Sequence, residues 1–361
     1  MRILYLITGL RLGGAENQLL TLAHSMQLFG NKVLVVSMES GGVLANKLKE
    51  KNINVIELDI DGYRTLWSGY RKFKTVVKQF SPDIIHSHMI HANLFSRIFR
   101  LFNNGFKLIC TAHNIREGNE MMMRGYWLTS AIPNWSTNVS KEAFEFFVKK
   151  KYFNAKKSSF IPNAIDTVFF NPDNFKVNLV RKQFNIPEEA YVFFSAGRLH
   201  EQKNYQMLLD AFEIVQRSIK QAVLIIAGEG LLYDKLKERS ITLGIQDKTI
   251  FLGGRNDIPA LMSMCDCFVL SSKFEGFGLV VGEAMAMQKP VVATDCGGVK
   301  EVMGGFGMLV AVDDTRGLAD AMLKTHQSPY SVNHLYSARK HIEDNYAVPF
   351  VINQWSQLYY R

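Results

Sequence analysis

Between Val269 and Thr294 the chain reads VLSSKFEGFGLVVGEAMAMQKPVVAT, and few folds accommodate such a stretch. Apolar residues run to Leu270 and stop at Ser271-Ser272, and Glu275-Gly276-Phe277-Gly278 follows. From Leu279 to Met287 the apolar run has helical length, Pro290 ends it, and a β-branched strand opens at Val291. Strand, loop, helix and strand in that order form a parallel crossover. A helix starting at Gly276–Leu279 directly after a strand offers unpaired backbone N–H groups and a positive dipole end, which suits phosphate or sugar oxygens. Glu275 and Glu283 have seven residues between them. On one helix they would lie ~12 Å apart at about 1.5 Å per residue, so they hold two parts of a long ligand and do not share a proton.

The same alternation recurs along the chain. Residues 1–8, 33–38, 53–58, 84–86 and 108–111 read as short strands separated by helical patterning. A second series starts at Tyr191, with strands at 192–195, 223–227, 249–252, 267–271, 291–294 and 307–310. Between them, Phe160 to Asp166 followed by Pro172 reads as a linker. Two doubly wound α/β domains are expected, 1–163 and 164–344, with a C-terminal helix at about 345–361 whose Phe350, Ile352, Trp355, Leu358 and Tyr359 dock it on the protein. Ligands of such sheets lie beyond the carboxyl ends of the strands. Those ends carry Gly13-Gly14, His86-Ser87-His88 and His113-Asn114 in the first half. In the second they carry Gly197-Arg198-Leu199 with Lys203, Ala227-Gly228-Glu229-Gly230, Gly253-Gly254-Arg255 and Asp295-Cys296-Gly297-Gly298. Arg198 and Lys203 at a strand mouth are suited to neutralising a diphosphate.

No apolar run is long enough for a membrane span. The opening MRILYLITGL has no cleavage site after it and reads as a first core strand. Four cysteines without a CxxC spacing fit reduced thiols in the cytoplasm. His86, His88 and His91 lack a neighbouring carboxylate or cysteine, and an alternating strand puts only the first two on one face, so no metal is expected there. Asp59-Ile60-Asp61 follows a strand and precedes Gly62, which marks a turn and not a metal-binding DxD. The whole net charge of +9 belongs to residues 1–175, which hold 22 Lys+Arg against 13 Asp+Glu. Three basic aromatic stretches lie there, Arg64 to Lys74, Phe95 to Phe102 and Phe144 to Lys157. Singly, each reads equally well as a core-facing stripe with a solvated basic face. Together, beside a neutral second half, they point to an anionic membrane surface and not to nucleic acid.

Gly13-Gly14-Ala15-Glu16, Pro162-Asn163-Ala164-Ile165-Asp166, Gly197-Arg198-Leu199 with Lys203-Asn204, Ala227-Gly228-Glu229-Gly230, Glu275-Gly276-Phe277-Gly278 with Glu283-Ala284, and Thr294-Asp295-Cys296-Gly297-Gly298-Val299 with Glu301 together resemble the retaining glycosyltransferases of family 4. The resemblance spans nearly the whole chain and is thin between about Gly42 and Lys157. It implies the GT-B architecture, two Rossmann-like domains facing across a cleft, with the C-terminal helix packed back on the first. It implies that Arg198 and Lys203 hold the donor diphosphate and Glu283 the ribose hydroxyls. Glu275 would face the transferred sugar, with the N–H groups of Gly276, Phe277, Gly278 and Leu279 on its hydroxyls and the phosphate. Gly14 would approach the phosphate, His113 would contact the sugar near the reacting carbon, and Gly253 to Asp257, Arg255 included, would line the base. Asn204 stands where many relatives carry glycine. His113-Asn114 replaces the His-Asp of several relatives, so the carboxylate of their acid–base relay is absent at that position.

The expected activity is therefore hexose or N-acetylhexosamine transfer from a nucleotide sugar, UDP in preference to GDP, to a lipid-linked or surface-polysaccharide acceptor in a bacterium. It would proceed without a metal or other cofactor, in the cytoplasm on the inner face of the plasma membrane. A UDP-sugar 2-epimerase of the same fold is the competing enzyme class, and a non-catalytic nucleotide-sugar-binding protein the third possibility.

Overall fold

Long runs such as Ile3 to Ile7 and Ala222 to Ala227 are apolar at every position, so strands built from them need both faces covered. The computed structural model, which describes every residue except Leu12 and Arg116, covers them with helices. The chain divides into two units, Met1–Ala164 with Val348–Arg361, and Ile165–Ala347. In the first unit the order is β1 (Arg2–Ile7), α1 (Gly14–Leu28), β2 (Lys32–Ser37), α2 (Val43–Glu50), β3 (Asn54–Glu57), α3 (Leu66–Phe80), β4 (Ile84–His88), α4 (Ile90–Phe102), β5 (Lys107–Ala112), α5 (Glu120–Leu128), β6 (Trp135–Asn138), α6 (Lys141–Lys149) and β7 (Ser158–Phe160). The seven strands are parallel in the order β3-β2-β1-β4-β5-β6-β7.

The second unit follows with α7 (Val177–Gln183), β8 (Tyr191–Ala196), α8 (Tyr205–Ser218), β9 (Ala222–Ala227), α9 (Tyr233–Thr242), β10 (Thr249–Phe251), α10 (Ile258–Met264), β11 (Cys267–Leu270), α11 (Leu279–Ala286), β12 (Val291–Thr294), α12 (Val299–Met303), β13 (Met308–Val310), α13 (Thr315–Gln327) and α14 (Val332–Tyr346). Its parallel sheet runs β10-β9-β8-β11-β12-β13. The final helix, α15 (Val348–Tyr360), belongs to the first unit and buries Val351, Ile352, Trp355, Leu358 and Tyr359 against α1 and the sheet.

Two strands lie outside the expected set. β6 (WSTN) and β7 (SSF) have no apolar run, because their buried side chains are polar and bonded instead: Thr137 Oγ1 lies 2.6 Å from Thr111 Oγ1, and the Trp135 indole N–H donates to Ser159 Oγ. Phe160, expected in the linker, therefore closes the sheet, and Ile161 N–H still donates to Asn138 O. Asp59 takes a left-handed φ of 59° and pairs with Lys72, as befits a turn. All four cysteines are free and buried, and no helix among the described residues is long and apolar enough to cross a membrane.

The basic aromatic stretches divide on folding. Arg64, Arg71 and Lys74 are exposed around Trp67, and Lys149 to Lys151 are exposed too. In the second stretch, however, Arg97 is fully buried: it lies 4.3 Å over the Tyr126 ring and donates to Tyr126 O and Thr129 Oγ1. Arg100 donates to Phe106 O, and Phe95 and Phe99 pack in the core. The basic residues of that stretch are structural, so it forms no cationic surface.

The last helix contributes a hydroxyl to the core. Tyr359 OH lies 3.1 Å from Tyr5 OH and 2.7 Å from His86 Nδ1, and His86 Nε2 lies 2.6 Å from Thr111 Oγ1. Removing one partner from a buried network leaves the others desolvated and unpaired. Tyr359→Phe is accordingly expected to cost ~1–3 kcal/mol and Trp355→Ala ~3–5 kcal/mol in urea melts of the full chain. Equal stability of both variants and the parent would show that α15 is not integral to the first unit.

Candidate active site

In each sheet the crossovers reverse direction once, between β1 and β4 and between β8 and β11, and loops leaving those strands flank an open crevice at their carboxyl ends. In the second unit the two loops are laced together. Lys203 Nζ lies 2.6 Å from Glu275 Oε1, and the same oxygen accepts Ser272 Oγ–H at 2.6 Å. Ser271 Oγ–H donates to Lys203 O, Gln202 Nε2–H to Phe274 O, and Lys273 N–H to Gln202 O. Lys203 and Glu275 are thus brought together, both nearly buried, while Arg198 stands exposed on the same loop with no side-chain partner among the described residues. Asn204 adopts φ 51° and ψ 42°, a left-handed conformation that explains why glycine is common there, and bonds Asp313.

The helix expected from Gly276 begins three residues later, at Leu279. Gly278 (φ 88°) turns the chain into α11, whose first N–H groups carry no side-chain cap, and Phe277 is buried against Tyr346. Gly297 (φ 54°) has a stricter requirement, since a Cβ there would meet Glu275 O at 1.8 Å. Glu283, in the second turn of α11, is half-buried, and burial raises its carboxyl from 4.5 to about 7 against the pull of Lys203. Arg255 is held by a two-pronged pair with Asp257 at 2.8 and 2.6 Å and lies over Phe184. Gly253 (φ 67°) accepts Gly228 N–H beside it.

In the first unit Gly14 is the first residue of α1, and Gly13 before it is extended. His113 follows β5. Its Nε2 lies 2.9 Å from His88 Nδ1, and burial pushes the imidazole down to about 3, so the ring is neutral. His86 and His88 are buried on β4 with their rings 4.1 Å apart, and both are neutral for the same reason. His91 lies in α4, exposed. Asn114 bonds Ile115 N–H and does not touch the His113 ring. A neutral His113 without a carboxylate on its ring cannot run an imidazolium relay, but it can exchange one hydrogen bond with a sugar.

The sequence reading missed Glu117. One of its carboxylate oxygens accepts His113 N–H and the other accepts Tyr126 O–H at 3.0 Å, while Asn93 Nδ2–H donates to the same hydroxyl at 2.7 Å. Burial raises the Glu117 carboxyl to about 7 despite the nearby Arg97 charge. A carboxylate four residues beyond a strand-end histidine was the available signal. Ser272 and His88 were both noted as strand ends without a role. Met89, next to His88, has φ 73° and ψ 157°, a conformation unusual for a side-chain-bearing residue that costs ~1–3 kcal/mol and recurs at functional sites.

Comparison with known proteins identifies the family. A family model described as glycosyl transferases group 1 matches residues 177–342, and one described as glycosyltransferase family 4 matches residues 12–169. The chain is 28% identical over 265 residues to the Escherichia coli UDP-Gal:alpha-D-GlcNAc-diphosphoundecaprenol alpha-1,3-galactosyltransferase, covering 69% of this chain and 67% of that one. It is 26% identical to the Campylobacter jejuni N-acetylgalactosamine-N,N'-diacetylbacillosaminyl-diphospho-undecaprenol 4-alpha-N-acetylgalactosaminyltransferase, over 68% of each. Among solved structures, Anabaena HepE in complex with UDP and glucose superposes with a TM-score of 0.88 over 99% of both chains at 23% identity, which shows the fold. That fold is GT-B, built from two Rossmann-like units.

Glu283 supplies a pH test. A carboxyl raised from 4.5 to about 7 binds its proton more tightly folded than unfolded, so it destabilises the fold progressively as pH climbs through that window. Glu283→Gln is expected to melt with the parent at the acid end and above it past neutrality, in ligand-free thermal scans. A gap independent of pH contradicts the raised Glu283 carboxyl.

Proposed function

Since this chain belongs to family 4 of the glycosyltransferases, we propose that it moves a hexose or N-acetylhexosamine, with retention of anomeric configuration, from a UDP-sugar to a lipid-linked or surface-polysaccharide acceptor. The observation that carries the reading is the Lys203–Glu275 pair where the sheet order reverses. Departure of a nucleoside diphosphate builds negative charge on phosphate and positive charge on the anomeric carbon. Arg198, Lys203 and the uncapped start of α11 oppose the first, and Glu275 meets the second and the sugar hydroxyls. Ser272 and Lys203 both bond Glu275 Oε1, which leaves its other oxygen for the sugar. Glu283 takes the ribose hydroxyls, and the ionised form favoured by that contact draws its pKa back down. The segment from Gly253 to Asp257 lines the base, with the Arg255 plane held by Asp257. In the first unit, Gly14 at the start of α1 is suited to phosphate and His113 beyond β5 to a sugar hydroxyl. With two cations and a helix start for the diphosphate, no divalent ion is required.

The acceptor reading draws on the relatives, whose names specify diphosphoundecaprenol-linked sugars. It also draws on the first unit, where exposed Tyr63 and Trp67 sit among Arg64, Arg71 and Lys74, and Lys149 to Lys151 project from the end of α6. Such groups bind the interface of an anionic bilayer, consistent with a peripheral position on the inner face of the plasma membrane.

Arg198→Ala and Glu275→Ala are each expected to slow transfer about a hundredfold or more, and EDTA to leave the rate unchanged. Nucleotide release with a panel of UDP-sugars and a polyprenol diphosphate-linked acceptor reads this out. Wild-type turnover in either variant, or a rate lost to EDTA and restored by manganese, defeats the assignment. Sedimentation should favour anionic over neutral vesicles and weaken with salt. Equal recovery with both lipids removes the membrane from the account.

A further inference from the structure

His88 and His113 are two neutral imidazoles joined ring to ring. His88 is the last residue of β4 and 2% exposed, His113 stands just beyond the end of β5, and their planes tilt by 32° at a centroid distance of 5.2 Å. A bond between two neutral imidazoles needs one N–H and one lone pair. The tautomers are therefore coupled. If His88 Nδ1 carries the proton, His113 carries its own on Nδ1. If His113 Nε2 carries it, His88 has its proton on Nε2. Either way, one of the two remaining nitrogens, His88 Nε2 and His113 Nδ1, is a donor and the other an acceptor. Both are buried and without a partner among the described residues. Both rings line one cavity of about 20 Å³, shared with Gln18, Thr111, Asn163 and Trp355, which has room for about one water.

The surroundings hold this arrangement firmly. The His86 ring lies tilted against that of His88, its two nitrogens engaged by Tyr359 and Thr111, and the Tyr5 ring lies 6.0 Å from His88. Met89 leaves β4 in its unusual conformation, and its N–H donates to Thr111 O, tying the β4 exit to β5. On the other side the His113 backbone N–H is taken by Glu117.

We propose that His88 is a positioning residue for sugar transfer: through the Nδ1–Nε2 bond it fixes the orientation and tautomer of His113, and so whether His113 Nδ1 holds a proton or a lone pair toward the cavity the two rings share. This rests on the reading that His113 meets the transferred sugar. The coupling of the two rings does not.

The test uses the full chain with ¹⁵N-labelled imidazoles, saturated with UDP, and reads the tautomer by long-range nitrogen–proton correlation together with transfer kinetics. In the parent, His113 is expected to show a single neutral tautomer throughout the range from about pH 5 to 8 in which free histidine titrates. His88→Ala should release it to a tautomer mixture or to protonation in that range, and lower kcat roughly ten- to a hundredfold with UDP affinity unchanged. His88→Asn, which can place an amide N–H where Nδ1 stood, should restore one tautomer and most of kcat. It also serves as the informative variant if the alanine chain does not fold. A His113 tautomer unmoved in His88→Ala overturns the proposal, whether or not kcat falls, and so does failure of His88→Asn to restore it. If the tautomer responds as expected while the parent transfers no sugar, the positioning stands and the transferase reading falls.

Discussion

A sheet whose strands all run one way must be crossed by helices on both faces, and that requirement governs both units of this protein. Every connection leaves the sheet at the carboxyl end of a strand and returns at the other, so polar and glycine-rich residues collect at one rim. Where the crossover direction reverses, no helix overlies the rim. The loops after β8 and β11 meet at such a point, and Glu275 is there held by Lys203 and Ser272. An ion pair this little exposed is sensitive to its geometry, because losing one member strands the other. The cross-links from Ser271, Gln202 and Lys273 keep that geometry, and Gly297 lets the β12 loop lie against the Glu275 backbone.

The first unit uses its rim differently. In place of an ion pair it has a continuous set of uncharged polar groups, from Tyr5 and Tyr359 through His86 to Thr111 and Thr137. Burial keeps the histidines neutral, so the set works by shape and hydrogen-bond direction and not by charge. The chain's last helix is part of it: Tyr359 bonds His86 on the same strand that ends in His88, and His88 bonds His113. The C-terminus and the strand-end histidine are therefore linked through contacts that persist within one unit. Glu117 and Tyr126 brace the same loop from its outer side, with Arg97 stacked over the Tyr126 ring.

The eleven strands anticipated from β-branched runs are all present, and α11 ends at Ala286, ahead of Pro290, with Gln288 (φ 54°) turning the chain. Those elements were legible because a strand buried on both faces advertises itself by composition alone. β6 and β7 were not, since their interior positions are Ser, Thr and Asn, satisfied by neighbours that no local pattern reveals. Arg97 misled for a related reason: a cation beside aromatic residues looks like a surface stripe until Tyr126 and Thr129, about thirty residues on, are seen to receive it.

What the chain's residues determined by themselves was the alternation of strand and helix, the division into two parallel sheets, and residue types at the strand ends that are suited to phosphate and sugar oxygens. These are properties of short windows, set by periodicity and by the conformational needs of glycine and proline. Which of those residues meet was decided by tertiary structure alone. Lys203 and Glu275 are 72 positions apart, and only the placement of β8 beside β11 brings them within hydrogen-bonding distance. His88 and His113 meet because β4 and β5 pair in register, and their charge state follows from the burial that the packed sheet imposes. Strand order and desolvation are long-range quantities, and no stretch of sequence short enough to read by pattern contains them.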